Sequence, residues 1–465
     1  MKNFVSILII CSMVFFSGCG LKTESQSYET KLDLWGVFDN ASAYNETLLA
    51  YRGINANVSN VNYHKYTIDS YREDLLNALA SGTGPDIFMI HNSWFPDFQD
   101  KIEPIPEYMM SEQDFRYNFV DVVADDFVLD GKMYGTPLSV DSLALYYNKD
   151  IFNAAGITQP PKTWDEFNTA VKALTNIDEF GNIEQSAAAI GTAFNVNRST
   201  DILTAMMIQN GAEMSDPETK RVTFAEPVQK DGKAVVPGEQ ALKYYTDFAS
   251  AAEPVYTWNK NQNYSIDEFF EGNTAMMINY SWHYDTIKAK NAKLNFAVAD
   301  LPQVSFDTIG EQTNFANYWA FVVAKNKQPT QSSSKDARPI TNEMRIHEAW
   351  QLLIAMTFPS EDGILVSNGL SKEALIFQTK FDFTKKYLEE TGKPAARRDL
   401  VQEQVNDVKL GSFARGNLIA QSWWRNSAIA VDAIFAEMID SVNTGKSSVH
   451  DAVDLGARRT QQLMK

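Results

Sequence analysis

Residues 134–167 read YGTPLSVDSLALYYNKDIFNAAGITQPPKTWDEF. Leu143, Leu145 and Tyr147 alternate with Ala144 and Tyr146, the pattern of a mostly buried strand. Pro160-Pro161 stops whatever precedes it, because proline fixes φ and has no N–H to donate. Thr163 opens the next element, and Glu166 follows three residues later at capping-box spacing. Trp164, Phe167, Val171 and Leu174 then share one helical face. On pattern alone this is a strand-to-helix unit.

The chain on either side extends the pattern. Lys31 to Phe38 predicts a first strand, and Asp39 to Ser42 offer caps for a following helix. Val58 to Tyr66 predicts a second strand. A helix starting at Asp69-Ser70 turns Tyr71, Leu75, Leu76 and Leu79 inward and ends at Ser81-Gly82-Thr83-Gly84. Pro85 to Ile90 gives a third strand, so a largely parallel sheet flanked by helices is expected. The glycines of LLNALASGTGPDIFMI fit neither phosphate-loop pattern and precede a strand, which excludes a nucleotide loop there. His91, Asn92, Ser93 and Trp94 fall at the strand's carboxyl end, where open α/β sheets bind ligands.

Further along, helices are expected at Ser199–Asn210, Gln240–Ala251, Ile346–Met356 and Ala428–Val442, with a capped one at Ser265 that Gly272 ends. Asp216 to Gly238 reads as a hairpin excursion, Thr274 to Asn279 as a buried strand, and Phe296 to Pro302 as a short one. Gln331 to Lys335 is a serine-rich loop.

With 465 residues the chain exceeds what one core usually serves, so two domains are expected. A net charge of -18 excludes a basic nucleic-acid surface. At the N-terminus, Lys2 precedes an apolar run from Phe4 to Phe16, too short for a comfortable membrane span. Phe16-Ser17-Gly18-Cys19 resembles a bacterial lipobox, with Cys19 as the lipidated first residue; the alternative is a plain secretory signal. The second cysteine, Cys11, would leave with the signal, so no disulfide is expected in the mature chain. Residues 19–30 read as a polar tether. No other run of about 18 apolar residues occurs.

Three segments carry a family resemblance. In residues 134–167 it rests on Pro137, Asp141, Ser142, Leu143, Tyr147, Asn148, Lys149, Asp150, Pro161, Thr163, Trp164, Asp165 and Phe167. The others are LLNALASGTGPDIFMI and YSIDEFFEGNTAMMINYSW, the latter with Tyr280 where a glycine is usual. Together they resemble the extracellular solute-binding proteins of ABC importers, the group containing maltose-binding protein. The resemblance implies an α/β fold of two lobes, each a mostly parallel sheet flanked by helices, joined by a multi-strand hinge of the type II periplasmic binding protein kind. The expected division is a signal at 1–18, a tether at 19–30, lobe one at 31–138 with 303–392, and lobe two at 139–302 with 393–465. It further implies a solute gripped by hinge closure and passed to a membrane permease, with the protein held outside the cytoplasm by its lipid, in a periplasm or on a cell surface.

No GxSxG, HExxH or CxxC occurs, and the five histidines lack metal-ligand spacing, so neither catalysis nor a metal or other cofactor is expected. The candidates near strand ends are Trp35, Asp39, Asn92, Trp94, Asp141, Asn195, Tyr280, Trp282, Trp319, Arg397, Trp423 and Trp424. Any one aromatic serves a core as readily as a ligand platform. Trp282, one of Trp423 and Trp424, and Asp141 stand out because they match cleft or hinge positions of the resembled family. Asp141 reads equally as a hinge hydrogen-bond partner, and Arg397 as an anion ligand or a pair across the hinge. Aromatic faces with Asp, Asn and Arg suit the C–H faces and hydroxyls of a sugar. The expectation is a monomeric binding protein for a carbohydrate-like solute, with no nucleic-acid partner. The alternatives are an exported carbohydrate-active enzyme, or a surface adhesin or sensor on the same fold.

Overall fold

The computed structural model describes residues 28–216, 218–230, 232–304, 312–328, 339–359 and 382–464. The signal and lipobox, most of the tether and the Gln331–Lys335 loop lie outside them. Packing begins slightly before the expected Lys31: the Tyr28 hydroxyl donates to Glu348, and the first strand is Thr30–Gly36.

That strand pairs in parallel with Val58–Lys65 and with Ile87–His91. Trp319–Ala324 then joins Ile87–His91 antiparallel and Ile102–Glu103 completes the sheet. Ile87 to Ile90 are all buried, because the strand is central and both its faces are covered. The helix Ile68–Ser81 lies between the second and third strands and ends on Gly82 at φ 72°, a conformation glycine adopts without a Cβ penalty.

The second sheet has Ala144–Asn148 near its centre, between Phe296–Asp300 and Thr274–Asn279, both antiparallel to it. Ile183–Ala189 adds in parallel beside Thr274–Asn279, and Asn176–Ile177 closes the edge. Both sheets are thus mixed, the parallel strands of the first being those the sequence pattern identifies. The helix cap is as expected: Thr163 Oγ1 accepts from Glu166 N at 3.2 Å, although the Glu166 carboxylate reaches back to Lys162 N at 2.7 Å. Trp164, Phe167, Val171 and Leu174 of helix Trp164–Leu174 are buried. Asp39 does not cap the next helix; Ala41 precedes Ser42–Ile54 without a side-chain cap.

Each sheet anchors a hydrophobic core, the second sheet carrying besides it a smaller cluster around Ala144, Tyr146 and Phe413, and among the described residues the chain passes between the two main cores at three places. Val140 lies in the first core and Leu143 in the second; Phe315 in the second and Ala316 in the first; Ala420 in the first and Trp423 in the second. These crossings are the three strands of one small sheet. Asn314–Asn317 is its centre, Asp141–Ser142 runs antiparallel beside it, and Ala420–Gln421 runs parallel on the other side. Gln303 bridges to Thr163 in the second body, while Ala395, Ala396, Leu400 and Val401 are buried in the first core.

The Asn314 side chain stitches the small sheet together. Its Oδ1 accepts from Leu143 N at 3.1 Å and its Nδ2 donates to Leu143 O at 2.8 Å. Gly416 packs so closely here that a Cβ would stand 2.4 Å from Ser142 Oγ.

Candidate functional site

The carboxyl ends of the parallel strands in the first body form an aromatic wall. Trp35 lies 4.4 Å from Tyr66, centroid to centroid. Trp319 meets Trp94 at 5.0 Å, Phe38 at 5.4 Å and His91 at 5.6 Å, each edge to face. Trp94 is nearly buried, with the Arg72 guanidinium 5.6 Å from its ring centre. His91 Nδ1 is 2.7 Å from Ser93 Oγ. Burial pushes its pKa down to about 3, with Arg425 and Arg198 of the second body adding repulsion and a hydrogen bond to Asn317 opposing them. The imidazole is therefore neutral at pH 7.

A second aromatic surface, on the second body, is built from the loop after strand Thr274–Asn279. Tyr280 is fully buried and its hydroxyl donates to Asp201 at 2.9 Å. Trp282 stacks flat on Tyr280 at 4.7 Å and 20°, yet remains 40% exposed. The Arg198 guanidinium sits 5.3 Å from the Trp282 ring centre. Beside it the nearly buried Arg425 is 3.9 Å from the Asp432 carboxylate and has no partner for Nε. Asp432 keeps 47% of its side chain exposed, yet burial pushes its pKa up to about 6. Phe194 projects from the same body, 71% exposed.

Between the bodies lies a cavity of about 260 Å³, lined on one side by Asn92, Ser93 and Asp126, on the other by Ser215, and by Trp423 and Trp424 of the crossing segment. Asn92 donates to Asp126 at 3.0 Å, leaving its own Oδ1 without a partner. The indole N–H groups of Trp423 and Trp424 are also buried without an acceptor. Buried polar atoms are normally satisfied, so donors and an acceptor left open around one void mark a place for a polar guest or water. Trp423 belongs to the second core, whereas Trp424 meets Phe95 of the first body edge-on at 5.9 Å.

Asp141 connects the hinge to the second wall. Its Oδ1 accepts from Ser142 N at 2.9 Å, and its Oδ2 from Ser281 N at 2.9 Å and Ser281 Oγ at 2.5 Å. Burial pushes this carboxyl up to about 7 against those three donors. It thereby fixes the residue next to Trp282.

Three other candidates have their polar groups engaged within the protein. Asp39 holds Lys393 Nζ at 2.7 Å and accepts from Tyr387 at 2.8 Å and Tyr44 at 3.1 Å. Arg397, 1% exposed, forks onto Asp382 and Asp399. Asn195 donates to Asn259 O at 3.0 Å and Gln262 O at 2.9 Å, bracing the loop that carries Arg198. The structure thus brings Asn92, Trp423 and Trp424 to the inter-body cavity, groups Trp94 with Trp319 on the first body and Trp282 with Tyr280 on the second, and seats Asp39, Arg397 and Asn195 in supporting networks. Cys19 lies outside the described residues. Phe38, Arg198, Arg425 and Asp432 are not picked out by sequence reasoning. The one available signal was that Val37-Phe38 prolongs an apolar strand into an Asp-Asn turn.

A family model described as bacterial extracellular solute-binding protein matches residues 53–360. A putative binding protein of Brucella abortus (strain 2308) is 35% identical over 136 residues, 28% of this chain and 32% of that protein. The maltotriose-binding protein of Pyrococcus abyssi is 24% identical over 242 residues, 51% of this chain and 47% of that protein. The chain thus spans a third to a half of these curated relatives. Two similar solved structures are the sugar-binding protein MalE of Xanthomonas citri and a cyclic alpha-maltosyl-1,6-maltose binding protein of Arthrobacter globiformis. The first has TM-score 0.69 at 18% identity, covering 94% of this chain and 97% of that one. The second has TM-score 0.68 at 19% identity, covering 94% and 99%. At such identities the likeness concerns the fold. All four are named as binding proteins, and among the described residues no helix is long and apolar enough to cross a membrane.

Proposed function

Because this chain belongs to the bacterial extracellular solute-binding protein family, we propose that it captures a sugar or oligosaccharide for an ABC importer and performs no bond-making itself. The observation that carries the sugar reading is the cavity between two separately cored bodies, whose lining leaves Asn92 Oδ1 and the indole N–H groups of Trp423 and Trp424 open. Trp282 and Trp319 supply faces for pyranose C–H groups, while Arg425, Asp432 and the open atoms of Asn92, Trp423 and Trp424 supply both donors and acceptors. A hydroxyl both donates and accepts, so it satisfies such a mixed set. Relatives named for maltotriose and arabinooligosaccharides point the same way.

The lobes divide at the three hinge strands, 141–142, 314–317 and 420–421. A solute stabilises the closed form only through contacts with both lobes. The closed form then docks on a membrane permease, which supplies the energy, while a lipid at Cys19 tethers the protein outside the cytoplasm. A thermal-shift screen with mono- and oligosaccharides tests this, because a ligand that binds only the native state raises the melting temperature. A sugar that raises it dose-dependently supports the reading. Release of a shorter sugar from any oligosaccharide would show an enzyme instead.

A further inference from the structure

The third crossing continues as a short segment, residues 422–427, before helix Ala428–Asn443 begins in the second body. The side chains of this segment alternate between the two bodies, as those of an extended chain do. Ser422, Trp424 and Asn426 turn to the first. The Ser422 hydroxyl donates to Asp126, the Trp424 ring meets Phe95 edge-on at 5.9 Å, and Asn426 Nδ2 donates to Asp97 at 3.1 Å. Trp423 and Arg425 turn to the second. The Trp423 ring lies 6.1 Å from Phe435 and 6.5 Å from Phe224, and the Arg425 guanidinium sits 4.9 Å from the Trp423 ring centre.

The two sides differ in kind. On the second body the grip is core packing around the nearly buried Trp423 and Arg425, and Ser215 Oγ adds a hydrogen bond to Trp424 O at 2.7 Å. On the first body the grip is polar or edge-on. Its centre is Asp97. Ser427, the residue before the helix, has a left-handed backbone at φ 53° and no cap from its own side chain. Its N–H donates to the Asp97 carboxylate oxygens at 3.2 and 3.0 Å, 330 residues away in sequence. Arg72 holds that carboxylate from the other side at 3.0 Å. A helix start favours a capping carboxylate, and this helix of the second body takes one from the first. Bodies that part about the hinge strands pull Asp97 and Asp126 off the segment, while core packing carries the segment with the second body.

We propose that residues 422–427 are a seam that fastens to Asp97 and Asp126 as the bodies approach, so that part of the driving force for closure is built into the protein rather than supplied by the solute. This rests on the reading of two bodies that open and close, and it holds whatever the solute is. Asp97 and Ser422 are then positioning residues that act without touching the solute. A larger closed fraction before binding tightens the apparent affinity, because the solute meets more of the competent form.

The test needs no solute. Small-angle scattering and urea melts are recorded for the mature protein and for Ser422→Ala, Asp97→Ala and the double variant. Each variant is expected to show a larger radius of gyration than wild type, the double variant the largest, with every urea melt still a single cooperative transition. Asn426→Ala replaces Asp97→Ala if the latter does not melt in one transition, since it leaves the Arg72 pair in place. Scattering curves of the folded double variant that superimpose on those of wild type overturn the inference. If wild type nevertheless contracts when a sugar binds, the hinge reading stands and only the seam falls. A sugar screen without a hit removes the sugar reading and leaves this test as it is.

Discussion

Replacing Trp282 by alanine tests the second wall, and its effect follows from geometry. The ring stacks on Tyr280 at 4.7 Å on one side and leaves 40% of the residue open on the other. A tryptophan buries up to about 250 Å² when fully covered, so a ligand closing over this one hides roughly 100 Å². At about 25 cal/mol/Å² that burial contributes roughly 2.5 kcal/mol. Face-to-face stacking adds about 0.5–1.5 kcal/mol. Trp282→Ala is therefore expected to weaken sugar binding by about 3 kcal/mol, a loss of roughly two orders of magnitude in Kd. The unliganded fold loses the contacts with Tyr280, His283 and Arg198, about 1–2 kcal/mol, since Tyr280 stays tied to Asp201. Isothermal titration with the sugar that most raises the melting temperature gives Kd, and a urea melt without sugar gives stability. An unchanged Kd would remove Trp282 from the ligand surface. An equal loss in both measurements would make it a structural residue.

Asp141 predicts a pH dependence. Its folded pKa of about 7 exceeds the roughly 3.9 of an unfolded aspartate. The native state thus holds a proton that the unfolded chain lacks between those values. Its contribution to stability is full below about pH 4 and is lost as pH rises towards 7, with a slope of at most about 1.4 kcal/mol per unit. Urea melts of wild type and Asp141→Asn across this window should differ by an amount that changes with pH; a constant difference refutes the assignment. Gly416→Ala forces a Cβ to within 2.4 Å of Ser142 Oγ and 2.7 Å of Asn314 Nδ2, and is expected to cost about 1–3 kcal/mol in a urea melt. An unshifted midpoint would show that the hinge strands are loosely packed. Cys19→Ser should move the protein from the membrane fraction to the soluble one, and retention on the membrane would exclude the lipid anchor.

Local chemistry explains which parts were legible in the sequence. Thr163 and Glu166 announce a helix start because capping is settled within four residues, and Thr163 caps as expected. The strands from Thr30 to His91 follow from alternation and glycine punctuation. Arg397 was harder: a guanidinium near a crossing looks like a ligand or a hinge pair, and only the fold brings Asp382 round to it. Lys393-Pro394 reads as a break in the sequence, and it is tertiary packing that buries Ala395 and Ala396 in the first core. Asp39 attracted notice as a carboxylate at a strand end, yet its charge is absorbed by Lys393. Its neighbour Phe38 takes a positive φ, and the partners that hold Asp39, Tyr387 and Lys393, lie more than 300 residues away in sequence. Arg198 comes from one stretch and Arg425 and Asp432 from another more than 220 residues on, and no spacing rule links the two.

Small-angle scattering of the mature protein, with and without a sugar that raises its melting temperature, tests most directly whether the two bodies close on a solute. The account predicts a smaller radius of gyration at saturating sugar, with a matching change in the inter-lobe distance distribution. Superimposable scattering curves at saturation would contradict it.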